Sequence, residues 1–417
     1  MDVIRELLSS TSALAEALRS ELGYVLLLFV LFVLPRFLQR YRLPQAITSV
    51  ALGAVLGLGF RLYQGDSTVG LLATLGIVSL FLFAGLEVDF QELRREARVL
   101  VQHLVVGVTA LFLGAWAMIE IFDLAFRPAL LVSLALLTPS TGFILDSLHR
   151  FGLSDRERFW VKSKAIATEL VALGALFFTL QSQSTARFGI ATAALVVLVA
   201  LLPMVFRWFA TAVVPYAPKS EFAFLLMVAT VAAMVTRRLG VYYLVGAFVV
   251  GLVAQGFRRR LPTLASEQML HAMEVFASVF VPFYFFNAGL HLHRDDFSFD
   301  ALVIGIGFLA VVTPIRILLV AGHRKLALKE DVEPGVRVGL SMVPTLVFGL
   351  VIAEILRDEF GLAPYLFGGL IVYTLGNTLL PGFLLKGEVP VPPPPEEEVS
   401  IGSRLETVAG LDKLSAG

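Results

Sequence analysis

Two charged side chains stand within long apolar stretches of the sequence. Glu169 lies midway along KSKAIATELVALGALFF, and Arg316 lies in VVTPIRILLVAGHRK. Charge in the hydrocarbon core of a membrane is costly, so ionisable residues at that depth usually mark an ion or proton pathway. A carboxylate is a hard oxygen ligand for a small cation, and it also accepts a proton. Glu169 is therefore the predicted metal-ion site, where Na⁺ or K⁺ competes with H⁺, and Arg316 is its predicted charge partner.

A static ion pair between Glu169 and Arg316 is the alternative interpretation. Buried pairs of this kind join helices and say little about function. Both residues lie far from the predicted helix ends, which favours the transport interpretation. Competition at one site with access alternating between the two sides of a membrane is sufficient for exchange of the two ions.

Two apolar segments are interrupted by proline. One reads Thr138-Pro139-Ser140-Thr141, and the other reads Ser341-Met342-Val343-Pro344-Thr345. Proline removes a backbone donor and disrupts the preceding turn, and the freed polar groups are tolerated in a membrane only where protein or water satisfies them. The sequence thus predicts helix breaks at Pro139 and at Pro344 and Thr345, with carbonyl-bearing helix ends near Glu169. The predicted hydroxyl ligands are Thr138, Ser140 and Thr141.

Two ordinary proline kinks are the alternative for these segments, with Ser and Thr hydroxyls bonded back to their own helices. Three further residues are weaker candidates for lining the site: Ser341, Asn287 and Lys164. For Asn287, a hydrogen bond between helices is an equally good interpretation. Lys164 precedes Glu169 on the same segment and is also interpreted as a gate or interface charge.

The composition indicates a membrane protein. The chain has 417 residues, of which 57% are hydrophobic and 16% are charged, with no net charge. Soluble domains are about 45–50% apolar, so lipid must cover much of this surface. No continuous basic stretch suggests nucleic acid as a partner. The absence of cysteine excludes a disulfide scaffold, a thiolate metal site and a cysteine nucleophile.

About thirteen segments are apolar enough to cross a bilayer or to lie buried within a helical membrane protein. They cover residues 22–38, 43–60, 69–86, 98–119, 128–148, 159–180, 188–206, 221–236, 239–257, 268–290, 301–322, 335–356 and 362–384. The predicted fold class is an all-α polytopic membrane protein. Residues 1–21 are predicted to form an amphipathic segment, 22–386 the transmembrane domain, and 387–417 a disordered cytoplasmic tail.

Basic residues are concentrated in alternate predicted loops. One set of loops holds Arg36, Arg40, Arg42, Arg94, Arg95, Arg98, Arg150, Arg156, Arg158, Lys162, Arg258, Arg259, Arg260, Arg324, Lys325 and Lys329. Most loops of the other set hold single basic residues, with Arg237 and Arg238 as the main exception. Cytoplasmic loops carry the excess of Lys and Arg. We therefore expect a multi-pass protein of a bacterial inner (plasma) membrane, with the N-terminus outside and the C-terminus in the cytoplasm.

An internal repeat is visible. The third segment ends in LFLFAGLEVDF and the tenth in PFYFFNAGLHLHRDDF, and their AGL sequences are separated by almost the same number of residues as Pro139 and Pro344. An odd number of spans between two copies inverts the second copy. Inverted repeats with interrupted helices are typical of secondary transporters.

Four stretches resemble the monovalent cation:proton antiporter-2 family. They are RYRLPQAITSVALGAVLGLGF (40–60), LFLFAGLEVDFQELRR (80–95), HAMEVFASVFVPFYFFNAGLHL (271–292) and NTLLPGFLL (377–385). The resemblance covers roughly residues 22–386. It implies a sodium/proton antiporter-like fold with inverted repeats and two crossing, discontinuous helices, formed by the fifth and twelfth segments. It also implies a dimerisation subdomain, a mobile core subdomain and a homodimer formed by the first segments and segments seven to nine.

The resemblance also implies functional positions. The family's ion-binding Asp falls on Glu169 and the residue before it on Thr168, so Thr168 joins the predicted ion-binding residues. The family's basic residue of the eleventh segment falls on Arg316. A Thr-Glu pair is more like the electroneutral members, which suggests one cation per proton.

The sequence departs from the family pattern in three ways. Glu replaces the usual Asp at position 169. The twelfth segment often carries Pro-Arg-Gly-Glu and here reads Pro344-Thr345-Leu346-Val347, which removes two charges. The C-terminal nucleotide-binding domain of several potassium-efflux members has no counterpart in the tail.

The predicted function is exchange of Na⁺ or K⁺ for H⁺, with these ions as cargo and no cofactor. The alternatives are a transporter of the same fold for another substrate, a channel-like K⁺ efflux protein, and a non-transporting membrane sensor. We expect no enzymatic activity, because the sequence has no HExxH motif, no GxGD pair and no serine–histidine pairing placed for hydrolysis.

Overall fold

The computed structural model describes residues 21–88, 90–182, 184–217, 220–239, 243–257 and 267–385, and these residues form helices and connecting turns without any strand. The helices are α1 (Glu21–Leu38), α2 (Gln45–Ala54), α3 (Ser67–Leu86), α4 (Phe90–Arg95), α5 (Ala97–Phe122), α6 (Phe126–Leu137), α7 (Thr141–Ser147), α8 (Asp155–Gln181), α9 (Thr185–Ala212), α10 (Glu221–Arg238), α11 (Tyr243–Phe257), α12 (Glu267–Leu290), α13 (Phe299–Leu328), α14 (Val332–Ser341), α15 (Leu346–Phe360) and α16 (Pro364–Leu384). The predicted N-terminal segment and C-terminal tail lie outside the described residues, apart from Glu21.

The apolar segments predicted from the sequence coincide with helices or pairs of helices. Among the described residues, nine helices are long and apolar enough to span a membrane, and α14 with α15 forms one further bent span. The other predicted segments correspond to α2, α10 and α11, which are shorter or less apolar. A helix satisfies its own backbone hydrogen bonds, which is the condition for crossing lipid. The all-α polytopic fold class is thereby confirmed.

Polar residues fix where several helices begin. The Asp66 carboxylate accepts the N–H groups of Thr68 and Val69, both at 2.9 Å, at the start of α3. Ser154 and Glu157 form a capping box at the start of α8, each side chain bonding the other residue's main chain. These caps satisfy N–H groups that have no partner within their own helix. The helix that carries Glu169 therefore starts at a well-defined position.

The helices pack as two groups. One group contains α1–α3 and α9–α12, and the other contains α5–α8 and α13–α16. Most contacts lie within a group, and the main contacts between the groups are made by α3 with α7 and by α9 with α8. The residues predicted to carry chemistry lie almost entirely in the second group.

Small residues allow close helix approach in the first group. A Cβ atom at Gly53 of α2 would overlap the main-chain carbonyl of Phe286, and one at Gly289 of α12 would overlap that of Val50. Gly85 of α3 and Gly251 of α11 face each other in the same way. Membrane helices associate largely through such backbone packing, since lipid offers no hydrophobic driving force between helices.

Both predicted helix breaks are present. α6 ends at Leu137 and α7 begins at Thr141, so Thr138, Pro139 and Ser140 form the first break. α14 and α15 are separated by Met342–Thr345 and are bent by 49°. The two breaks meet, because the Ser140 N–H donates to the Pro344 carbonyl at 2.8 Å. This contact confirms two crossing, discontinuous helices.

The close approach of α2 and α12 predicts an effect on stability. We expect Gly53→Ala to lower the free energy of unfolding by about 1–3 kcal/mol, because the added methyl group has to push two main chains apart. The thermal unfolding midpoint of the purified protein in detergent measures this effect. Gly189→Ala is the matched control, since nothing lies within 4 Å of a Cβ placed there. An unfolding midpoint equal to that of the control would contradict the packing described here.

Candidate functional site

Glu169 lies beside the crossing of the two broken helices. Its side chain is 3% exposed, and the carboxylate oxygen Oε2 accepts the main-chain N–H of Thr141 at 3.2 Å. The Thr141 hydroxyl lies beside the same carboxylate without meeting hydrogen-bond geometry. One N–H donor leaves most of the acceptor capacity of a carboxylate unused. The carboxylate can therefore take a further ligand, either a proton or a cation.

A small cavity of about 10 Å³ lies against Glu169. A site of this volume is about the size that one water molecule requires. Its lining consists of Leu80, Phe81, Ala84, Ser140, Thr141, Gly142, Glu169 and Val347. Glu169 is the one ionisable group in that lining.

A second, larger cavity of about 410 Å³ shares Leu80, Gly142 and Val347 with the small one. It extends to Arg150 and Lys162, and we call the side of the protein that carries these two residues the arginine-rich face. Its polar lining includes Glu87, Arg150, Lys162, Glu274 and Ser278. Because the two cavities share Leu80, Gly142 and Val347, the larger cavity approaches the Glu169 cavity from that face.

Ser140 joins the two breaks. Its hydroxyl oxygen accepts the N–H groups of Val347 at 2.8 Å and Phe348 at 3.4 Å, near the start of α15. The serine is 1% exposed. Ser140 was predicted as an ion ligand, and the structure uses its oxygen to satisfy helix ends that would otherwise lie unpaired in the membrane.

Arg316 differs from the expectation of a partner for Glu169. Its guanidinium donates to the Val343 carbonyl at 2.6 Å, the Met342 carbonyl at 2.8 Å and the Tyr373 hydroxyl at 3.2 Å. The ion pairs among the described residues do not include Glu169 with Arg316. The carbonyls that follow α14 carry partial negative charge and lie closer, so they bind the guanidinium in place of the carboxylate.

Two residues of α16 complete the crossing. The Tyr373 hydroxyl donates to the Leu136 carbonyl at 2.7 Å, near the end of α6. Asn377 accepts the Thr345 N–H at 3.2 Å and donates to the Thr345 hydroxyl at 2.9 Å. Neither role was predicted from the sequence. A signal was present for Asn377, because a carboxamide within an apolar span usually has a hydrogen-bonding task.

Thr138 and Thr168 lie away from the Glu169 cavity. Both line a separate cavity of about 90 Å³ that also contacts His103 and Arg316. The Thr168 hydroxyl donates to the Lys164 carbonyl at 2.8 Å and lies 3.3 Å from His103 Nε2. Of the predicted hydroxyl ligands, the structure therefore brings Thr141 to Glu169, whereas Thr138 and Thr168 line the other cavity.

The three weaker candidates also lie apart from Glu169. Ser341 bonds back to the Arg337 carbonyl of its own helix at 2.8 Å. Asn287 lies on α12, in the other group of helices. Lys164 is fully buried, and its Nζ lies 3.0 Å from His323 Nδ1. His103 and His323 were not predicted to be near this lysine, although a histidine within an apolar segment is a visible signal.

The sequence matches one protein family and is similar to named relatives. A family model described as "Sodium/hydrogen exchanger, transmembrane" matches residues 25–387. A protein of Methanocaldococcus jannaschii named "Probable Na(+)/H(+) antiporter 3" is 24% identical over 349 residues, covering 80% of this chain and 88% of that protein. A Bacillus cereus protein named "Probable Na(+)/H(+) antiporter GerT" is 22% identical over 325 residues, covering 74% and 83%.

The fold is shared with a solved structure. The sodium proton antiporter MjNhaP1 from Methanocaldococcus jannaschii, at pH 8, superposes with a TM-score of 0.64. The match covers 87% of this chain and 95% of that chain, at 14% sequence identity. The family match spans both groups of helices and both breaks, so this multi-pass membrane chain belongs to the sodium/hydrogen exchanger transmembrane family.

Proposed function

We propose that the protein exchanges Na⁺ or K⁺ for H⁺ at Glu169 by alternating access. The observation that carries this proposal is a buried carboxylate with unused acceptor capacity, in a small cavity that adjoins a larger one extending to the arginine-rich face. Family membership and relatives named as Na⁺/H⁺ antiporters support the same function. Na⁺ is the cation in those names and is the first one to test.

The proposed cation ligands are the Glu169 carboxylate and the Thr141 hydroxyl. Oxygen ligands of this kind suit a hard monovalent cation. The Thr141 N–H continues to hold the carboxylate in place when the ion changes. A proton and a cation compete for the same oxygens, so loading one requires release of the other.

Charge balance at the site favours electroneutral exchange. Glu169 is the one ionisable residue lining its cavity. Protonated Glu169 and Glu169 with one bound Na⁺ both have zero net charge. The group of helices that carries Glu169 then has the same net charge when it moves in either direction. This corresponds to the exchange of one cation per proton.

Access would alternate between two cavities at opposite ends of α8. The cavity of about 410 Å³ includes Lys162 near the start of this helix, and one of about 930 Å³ includes Gln181 at its end. Lys162 and Gln181 are about 28 Å apart along the axis of this helix, so the two cavities lie toward opposite sides of the membrane. In this conformation the small cavity of Glu169 adjoins the cavity of about 410 Å³. Movement of α5–α8 and α13–α16 against the other group would transfer access from one cavity to the other.

The proposed orientation places the arginine-rich face in the cytoplasm and the N-terminus outside, in agreement with the distribution of Arg and Lys. The proposed assembly is a homodimer formed by α1 and α9–α11. Large apolar side chains exposed on α1 and α9 suit contact with lipid or with a second copy, for example Phe29, Val196 and Trp208.

The role of Glu169 is tested by Glu169→Gln. We expect sodium-driven proton movement to disappear, because a carboxamide neither titrates nor provides an anionic ligand. Purified protein in liposomes with a pH-sensitive dye gives the rate. Glu120→Gln is the matched control, since Glu120 is an exposed acid on α5. Exchange that persists in Glu169→Gln would remove the assignment of Glu169 as the exchange site.

Electroneutral exchange predicts that the wild-type rate stays the same when the membrane voltage is clamped at different values.

The role of the Thr141 hydroxyl is tested by Thr141→Val. Loss of one oxygen ligand should raise the KM for Na⁺ about tenfold, which corresponds to about 1.4 kcal/mol of binding free energy. Thr109→Val serves as the control, because the Thr109 hydroxyl bonds only within its own exposed helix face. Thr168→Val forms a third arm of the same measurement. A raised KM in Thr168→Val with no change in Thr141→Val would assign the ligand to Thr168 in place of Thr141.

A further inference from the structure

One ion pair joins the two groups of helices. The Lys162 ammonium of α8 lies 2.6 Å from the carboxylate of Glu87, the residue that directly follows α3. Among the residues that the structure describes, every other ion pair lies within one group or involves the turn that joins α12 to α13. We call Glu87 and Lys162 the inter-group pair.

Local helix stability does not account for an acid at position 87. Glu87 caps the C-terminal end of α3, where its N–H donates to the Phe83 carbonyl at 3.0 Å. The C-terminal end of a helix carries partial negative charge, so a carboxylate at that end is unfavourable in isolation. Lys162 supplies a compensating positive charge from the other group of helices. The pairing therefore offsets an unfavourable charge at the end of α3.

The inter-group pair lies on the wall of the cavity of about 410 Å³ that adjoins the Glu169 cavity. The side chains of Lys162 and Glu87 are 31% and 26% exposed, respectively. Charges that are partly withdrawn from water attract each other more strongly than charges on an open surface. A single pair with this much exposure is still weak enough to break and form again repeatedly. The pair can therefore hold one arrangement of the two groups reversibly.

The pair lies on the same side of α8 as the proposed cation site. Lys162 and Glu169 are seven residues apart, which is close to two full turns of an α-helix. Their side chains thus leave the helix in nearly the same direction, about 10 Å apart along its axis. A displacement of α8 against α3 moves Lys162 and Glu169 together, and it pulls the ammonium away from Glu87.

We propose that the inter-group pair holds the arrangement in which the Glu169 cavity adjoins the cavity of about 410 Å³, and that the pair breaks in every transport cycle. The pair is present in this arrangement, so it stabilises this arrangement relative to the one in which Lys162 has moved away. A permanent brace between the groups is the competing interpretation, and it predicts that Glu87 and Lys162 never separate. This inference rests on the proposed exchange function.

The absence of cysteine from the sequence allows a direct test of this separation. In Glu87→Cys combined with Lys162→Cys, a short bis-methanethiosulfonate reagent joins the two thiols through cleavable disulfides. We expect sodium-driven proton movement in liposomes to fall by at least about tenfold on cross-linking, because the mobile helices stay tethered to α3. Dithiothreitol cleaves the cross-link and should restore the rate of the unlinked variant. Mass spectrometry measures the cross-linked fraction.

His271→Cys combined with Val275→Cys is the matched control, because both residues are exposed and lie one turn apart on α12, within one group. Its cross-linked form should exchange ions at a rate within about twofold of its reduced form. Undiminished exchange in the cross-linked Glu87→Cys/Lys162→Cys protein would overturn the proposal, since the pair then has no need to open. If wild type and all reduced variants fail to exchange ions, the proposed function fails, and thiol labelling, which needs no transport, decides on the pair.

Reversal of the two charges separates electrostatics from general damage. Glu87→Lys alone and Lys162→Glu alone each place like charges together, whereas the two changes combined restore an ion pair in reverse. The readout is the rate at which an uncharged maleimide labels a single cysteine, Ser278→Cys, because Ser278 lines the cavity of about 410 Å³. We expect each single reversal to slow labelling by at least about fivefold, and the combined variant to return to within about twofold of the Ser278→Cys protein.

The two single reversals change the local charge in opposite directions, so a direct effect of charge on the thiol would move their labelling rates in opposite directions. Slower labelling in both therefore reports the arrangement of the helices. Equal labelling rates in all four proteins would show that the pair does not select this arrangement, which refutes the proposal. Slow labelling that persists in the combined variant would indicate damaged packing and would count against the proposal equally.

Discussion

The structure depends on one constraint: main-chain groups freed by two helix breaks inside a membrane must all find partners. Pro139 and Pro344 interrupt helices at a depth where water is not available to the backbone. The ends satisfy one another through the bond from the Ser140 N–H to the Pro344 carbonyl. Side chains satisfy the remainder: Ser140 and Asn377 accept N–H groups near the start of α15, and Arg316 donates to the carbonyls that follow α14. The crossing is therefore a closed hydrogen-bond network that holds its own geometry.

This network determines which group is left for the transported ions. The Arg316 guanidinium is occupied by carbonyls and by Tyr373, and the Ser140 oxygen is occupied by two N–H groups. Glu169 contacts the network through one bond from the Thr141 N–H. Glu169 also lines a small cavity, and the ion pairs among the described residues do not include it. A permanent Arg316–Glu169 pair would instead hold the carboxylate ionised and compete with both Na⁺ and H⁺, so the position of Arg316 on the carbonyls favours a carboxylate that can exchange ligands.

Much of the fold follows from patterns local in the sequence. Runs of apolar residues predict the helices because a membrane helix satisfies its own backbone, and prolines at repeat-related positions predict the breaks. The candidate site followed only in part. Charge and hydroxyl groups near a predicted break are visible in the sequence, and this signal led to Glu169 and Thr141, which the structure brings into contact. The partners of Arg316 were missed, since charge complementarity favours Glu169 and the sequence does not show which helix end approaches the guanidinium. Tyr373 and Asn377 act on breaks that are far away in the chain, so their roles required the packing.

The helix α8 carries different chemistry on its different sides. Glu169 faces the crossing, whereas Lys164 and Thr168 face α5 and α13, where the Thr168 hydroxyl bonds back to the Lys164 carbonyl. Residues five positions apart on a helix are separated by more than one turn, so the carboxylate and the ammonium do not need to neutralise each other. The separation keeps the cation site free of a competing positive charge. Lys164 and Glu169 are thus linked through the helix they share, since no hydrogen bond or ion pair among the described residues joins the two side chains.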